Sequence, residues 1–282
     1  MKLDKKLNVV AYLILTAVAL VSLFTLIYVI FASFKTNTEI LTNPAAIFPK
    51  EPTFQNYIDA WNSDVFDLKR MLFNSTYYTV VIVISTILTT AMSGYVFAVG
   101  EFRGKKFWLA AFSLTLFFSM GSLTIYPLLK ILNFIHVPKS LPGLMVIKIF
   151  SVSIVNIYLV RGFVYSLPKG ITEAAEIDGC GFYVTFFRII FPLLKPVMAT
   201  IGLLAFQGSW NDYLLPMIFT LGDPKQRPLI VGVIALSKSG EAAASYNLVF
   251  AGTVLSLLPV LVAYIIGNKY FVSGISAGAV KG

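Results

Sequence analysis

Six blocks of apolar residues, at about 8–32, 72–99, 107–128, 141–160, 197–219 and 248–267, divide this 282-residue chain, and each is long enough to cross a lipid bilayer as a helix. A spanning helix needs roughly 20 such residues to cover about 30 Å of hydrocarbon, whereas barrel strands are shorter. With 57% hydrophobic and only 12% charged residues, the chain carries more apolar surface than a soluble domain can bury. The pattern predicts an all-α integral membrane protein, one transmembrane domain over 1–282 with six transmembrane helices. The first block follows Lys2, Lys5 and Lys6 but exceeds the about 7–15 residue core of a secretory signal, so it reads as a retained span.

An even number of spans puts both termini on one side. Twelve Lys and Arg residues fall on that side against nine on the other, with Lys148 inside a span. The weight comes from the N-terminal tail and the short 100–106 loop, where positive charge orients most strongly, and this places both termini in the cytoplasm. The net charge of +9 is thereby explained by topology, and no basic run interleaved with aromatics points to nucleic acid. A single cysteine, Cys180, excludes an intrachain disulfide, and the one histidine, His136, has no companions at metal-ligand spacing.

The loops differ in character. Residues 36–70, outside, combine the breakers Pro44, Pro49 and Pro52 with five acids and with Tyr57 and Trp61, which reads as a partly ordered cap. Residues 222–247, also outside, are rich in small and polar types. The cytoplasmic loop 161–196 is long enough for two short helices. After Pro168, residues 171–178 favour a helix, and Gly179 stands where a left-handed C-terminal cap is needed. A second helix is expected from near Phe182, with Phe182, Phe186 and Ile189 or Ile190 on one apolar stripe, ending in a break at Pro192. Two readings stand for this element. It is either a docking foot for a partner, or an amphipathic loop on the lipid surface with Glu173, Glu176 and Asp178 solvated; interfacial helices usually carry Lys and Arg on that face.

The residues Glu173-Ala174-Ala175, then three residues, Gly179, nine residues, Ile189, one residue and Phe191-Pro192 closely resemble the EAA loop of ABC importer permeases. Phe191 stands for the usual Leu and Cys180 for a frequent Ala. The block Trp210-Asn211-Asp212-Tyr213-Leu214-Leu215-Pro216 and the ending from Lys269 to Gly282 resemble the sugar-importing branch, most nearly the smaller permease of maltose-type importers. The resemblance implies a permease of an ATP-driven, binding-protein-dependent importer in a prokaryotic cell (inner) membrane, supplying half of a pathway for a carbohydrate by alternating access. It implies as partners two ABC ATPase subunits carrying ATP and Mg, a second, distinct permease, an extracellular or periplasmic solute-binding protein, and membrane lipid. This chain has no phosphate-loop spacing, since residues 100–106 lack it, and is therefore no enzyme and holds no cofactor of its own. Glu173, Ala174, Ala175, Asp178 and Gly179 are then the coupling element, and the tail at 278–282 reaches toward the ATPase.

Within the spans Lys148 and Asp212 stand about seven residues in from the same face, roughly 10 Å deep at 1.5 Å per residue. Ionisable groups there usually face a cavity or each other. Either they pair, or Lys148 snorkels outward and Asp212 caps backbone near Pro216. Tyr126, Asn156, Trp210 and Asn211 are candidates to line a sugar path, against the ordinary alternative of packing. By position, the 222–247 loop matches one that enters the binding protein in that family, with Ser237, Ser239 and Gly240 small enough to insert; the other reading is a flexible connector. Asn74-Ser75-Thr76 matches a glycosylation sequon by coincidence. The competing class is an ion-coupled secondary transporter of a small polar solute, which predicts inverted repeats, broken helices and several buried carboxylates.

Overall fold

A computed structural model describes residues 5–63, 66–118, 121–168, 170–239 and 245–279, and every long regular element in it is a helix. In chain order these are α1 (Lys5–Ala32), α2 (Asn37–Thr42), α3 (Gln55–Asn62), α4 (Leu68–Val99), α5 (Lys105–Leu114), α6 (Ile125–Phe134), α7 (Leu141–Ile149), α8 (Ile154–Ser166), α9 (Gly170–Ile177), α10 (Phe182–Thr185), α11 (Phe191–Leu193), α12 (Lys195–Trp210), α13 (Leu214–Phe219), α14 (Leu229–Lys238) and α15 (Tyr246–Ala279). Three are long and apolar enough to cross a membrane by themselves: Val10–Ala32 within α1, all of α4, and Tyr246–Gly267 within α15. Two further stretches qualify only as bent pairs, α7 with α8 at 41° and Phe182–Leu193 with α12 at 77°.

Three of the six expected spans are therefore interrupted. The block at 107–128 is not one helix. α5 stops at Leu114, where the Thr115 hydroxyl turns back to the Phe112 carbonyl at 2.6 Å, and Gly121 takes a left-handed φ of 50° before α6. The block at 141–160 breaks between Ile149 and Ile154, and its second half runs on to Ser166 because the Ser153 side chain caps a new helix there. The block at 197–219 breaks after Trp210, where the Asn211 N–H and side-chain amide both bond the Gln207 carbonyl. The break expected at Pro192 also moves: a π-helical turn, Phe186–Ile190, precedes Pro192, and the chain bends at Leu194 instead.

The chain divides into two compact units. One comprises Met1–Leu72 and Pro228–Pro259. Its core joins Ala60, Phe66, Leu68 and Met71 to Leu229, Val233 and Leu236. The last three belong to α14, so residues 229–238 of the 222–247 loop form a helix with one side buried. The expected cap at 36–70 carries α2 and α3. Asn56, on α3, donates to the carbonyls of Ser33 and Lys35 at 2.7 and 2.8 Å and accepts from the Asn247 amide at 3.0 Å, satisfying a bend that would otherwise leave buried acceptors unpaired. Lys35, also buried, donates to the Ala46 carbonyl.

The other unit comprises Phe73–Arg227 and Val260–Gly282. Ala91, Tyr95 and Ala98 of α4 pack on Val160 and Val164 of α8 and on Val197, Met198 and Ile201 of α12. A second cluster sets Tyr78 and Ile82 of α4 against Leu141, Leu144 and Met145 of α7 and Phe219 of α13. Asn74 is held by the carbonyls of Lys225 and Arg227, so the sequon residue serves as an internal tie. The approach of α4 to α8 depends on Gly94, where a Cβ would meet Val160 side-chain carbons at 2.5 Å. Gly94→Val is expected to push the two helices apart and cost about 1–3 kcal/mol, read as a lowered melting temperature of the purified chain in detergent. Gly162→Ala on α8, with nothing within 4 Å of its added carbon, is the control and should match or slightly exceed the parent.

Candidate functional site

Two places in the second unit combine unusual chemistry with a fixed framework. The first lies where two helices are broken. Lys148 closes α7, and Asp212 follows the end of α12. Their side chains meet, with Nζ to Oδ2 at 3.0 Å, and the Tyr78 hydroxyl of α4 donates to the same Oδ2 at 2.8 Å. At this separation the attraction is about 5–6 kcal/mol at an effective dielectric of 20, and it is set against a desolvation cost of several kcal/mol per ion. The Tyr78 bond helps tip that balance toward a closed pair.

Beside the pair opens a cavity of about 340 Å³. Lys148, Ser151, Asn156 and Thr86 are among its polar lining residues, and Ile82, Leu204 and Gly208 are also in the lining. Of the six pathway candidates, Lys148 and Asn156 thus reach the cavity and Asp212 is bonded to one of them. The other three sit elsewhere. Trp210 is buried and stacks on Phe206 with ring centroids 5.7 Å apart. Asn211 bonds back onto its own helix. Tyr126 is exposed on α6 beneath the Lys130 ammonium, 5.0 Å from its ring centre. Tyr78, Thr86 and Ser151 were not anticipated. The signal available for the first two is their spacing of eight residues in an apolar helix, which puts both on one face.

The second place is the foot. α9 ends in a complete Schellman cap: Cys180 N–H bonds the Ala175 carbonyl at 2.8 Å, Gly179 N–H bonds that of Glu176 at 3.0 Å, and Gly179 takes φ 76°. Ala175 is buried, while Glu173, Ala174 and Asp178 are exposed. At the tip Ile177 is 87% exposed, and Tyr183 stands out on the next helix. The foot is seated firmly, since Tyr95 of α4 contacts the rings of Phe182 and Phe186 at 4.9 and 5.2 Å, and Phe186 and Ile190 are buried in the helix core. Of the expected stripe, Phe186 and Ile190 are buried, Ile189 is half-buried, and Phe182 is exposed while its ring contacts Tyr95. Ser237 and Ser239 end α14 in the other unit, each hydroxyl bonded to a carbonyl of that helix, and Gly240 lies outside the described residues, as does the tail beyond residue 279. No group of three His, Cys, Asp or Glu that could hold a metal occurs among the described residues.

A family described as binding-protein-dependent transport system inner membrane components matches residues 3–275. The chain belongs to this family. It is 32% identical over 269 residues to an arabinooligosaccharides transport system permease protein of Bacillus subtilis, covering 94% of this chain and 92% of that one. It is 28% identical over 282 residues to a diacetylchitobiose uptake system permease protein of Streptomyces coelicolor, covering 99% and 90%. In fold it matches a chain from the crystal structure of a bacterial ABC transporter involved in the import of the acidic polysaccharide alginate, with a TM-score of 0.80, 23% identity, and 96% and 98% of the two chains covered.

The pair is unevenly shielded, Asp212 being 14% exposed and Lys148 30%. Lys148→Met therefore strands the better-buried charge and is expected to destabilise the chain by about 1–3 kcal/mol, more than Asp212→Asn does. The double variant should recover part of that loss, and melting temperatures of the four proteins in detergent supply the cycle.

Proposed function

We propose that this chain is the permease subunit of an ATP-driven importer that takes a carbohydrate from a solute-binding protein and supplies half of the path through the membrane. The carrying observation is that a family of binding-protein-dependent permeases matches nearly the whole chain, and that the named relatives move oligosaccharides. On this reading the chain crosses the membrane six times with both termini in the cytoplasm, the interrupted blocks counting as broken spans. Glu173, Ala174, Ala175, Asp178 and Gly179 form the coupling element. One of two ATPase subunits, which hold ATP and Mg, takes it in a cleft, a second and distinct permease completes the pathway, and the 222–247 loop, with Ser237, Ser239 and Gly240, contacts the binding protein.

The shape of the foot supports the coupling role. An Ile as exposed as Ile177 between acids, on a helix whose underside is buried, is costly in water and suits insertion into a partner surface. Interrupted helices are also what an ion-coupled transporter has, but membership of this family decides between the two.

Gly179→Val places a β-branched residue at φ 76°, which disfavours the cap without touching any neighbour. In vesicles holding the complete importer, this variant is expected to lose ATP-driven oligosaccharide uptake roughly tenfold or more, the scale of a coupling free energy of about 1–3 kcal/mol. The melting temperature should barely change. Uptake at the parental rate in Gly179→Val combined with Glu173→Arg would remove the coupling assignment.

A further inference from the structure

We propose that the cavity beside Lys148 is a subsite for one uncharged sugar ring, and that Asp212 excludes acidic sugars from it by neutralising Lys148. The inference deepens the carbohydrate-importer reading and rests on it.

Size and lining come first. About 340 Å³ lies at the low end of the roughly 300–1,000 Å³ typical of small-ligand sites, room for a single ring and not a chain of them. Thr86, Ser151 and Asn156 turn polar side chains toward it, and none of the three side chains donates or accepts a hydrogen bond through its own hydroxyl or amide within the described residues. Unpaired polar groups inside a membrane-spanning domain call for water or a hydroxylated ligand. Ile82, Val152, Leu204 and Ala205, also in the lining, offer the apolar surface against which the carbon face of a sugar ring packs.

Charge then narrows the class. Lys148 is the only charged residue lining the cavity among the described residues, and its ammonium is already engaged with Asp212 at 3.0 Å. An ammonium has three donors, so two are left to bond sugar hydroxyls without opening the pair. A uronate or sulfonate would have to approach the same ammonium against the Asp212 carboxylate, and like-charge juxtaposition costs several kcal/mol. Tyr78 reinforces the arrangement by donating to the same Asp212 oxygen, which holds that carboxylate in place when ligand enters. The subsite is thus selective through a fixed internal counter-ion.

The test uses the complete importer in nanodiscs without its binding protein, so that the permeases alone choose. Binding is read by saturation-transfer NMR with a panel of methyl glycosides of neutral hexoses and pentoses, each paired with its uronate. The parent should favour the neutral member of at least one pair by about tenfold or more. Asp212→Asn should reverse that preference, and Lys148→Gln with Asp212→Asn should abolish any charge preference. Asn156→Ala, which leaves the pair untouched, should weaken neutral-sugar binding about tenfold while keeping the preference. An unchanged neutral-to-acid ratio in Asp212→Asn, or, where that variant does not fold, in the double variant, overturns the counter-ion rule. Failure of every glycoside to bind while ATP-driven oligosaccharide uptake persists overturns the subsite and leaves the importer reading intact. Absence of ATP-driven uptake for any carbohydrate with its binding protein present instead overturns the importer reading.

Discussion

An amide or carbonyl left unpaired in hydrocarbon costs several kcal/mol, so an interruption of a spanning helix has to be closed by nearby side chains, neighbouring helices or water. Here the closures are local and specific. At the break after α7, Ser151 N–H returns to the Lys148 carbonyl at 3.1 Å and Ser153 caps α8. At the break after α12, Asn211 bonds Gln207 and Asp212 N–H bonds the Ser209 carbonyl at 3.2 Å. The Lys148–Asp212 pair then ties one break to the other. The ion pair acts less as a source of net stability than as a strap that fixes where two broken helices meet.

The breaks account for the cavity. A continuous helix through residues 150–153 would fill that space with its own turn. The interruption between Ile149 and Ile154 puts Ser151 and, just after it, Asn156 in the lining together with Leu204 and Gly208 of α12. Gly208 has open space where a side chain would stand. Packing behind the cavity is dense, because Leu144 and Met145 of α7 lock against Tyr78 and Phe219. The polar opening is therefore backed by a rigid apolar layer, the usual arrangement for a site whose geometry must survive motion elsewhere.

How far this was legible in the sequence follows from what hydropathy measures. α1, α4 and the first part of α15 are readable because unbroken apolar runs of that length have few alternatives. The breaks are not, because apolar residues continue through them: Phe117 and Phe118 follow α5, Phe150 and Val152 separate α7 from α8, and Leu214 and Leu215 follow Asp212. α14 is missed for the opposite reason, being apolar but only ten residues long amid polar neighbours. The cap at Gly179 is legible because only one residue type accepts its backbone angle cheaply. Lys148 and Asp212 are legible as a pair of rare charges at matching depth. The burial of Trp210 is not, since an aromatic that stacks on its own helix and one that lines a path look alike in sequence.

One helix, α12, runs between the foot and the cavity. α12 begins beside the 77° bend that carries the foot and ends at Trp210, sixteen residues or about 24 Å further on, with Gly208 and Ser209 at the cavity. Its near end is clamped, since Leu194, Val197, Met198 and Ile201 are buried against α4 and α8. On the coupling role proposed for the foot, a push there enters α12 at its packed near end and is carried along one continuous helix to Gly208 and Ser209. Asp212, one end of the strap, follows the far end of that helix. Lengthening the Lys148–Asp212 distance would leave the largely shielded Asp212 carboxylate without its counter-ion, so on that reading the closed pair favours the arrangement seen here and opposes a change at the cavity.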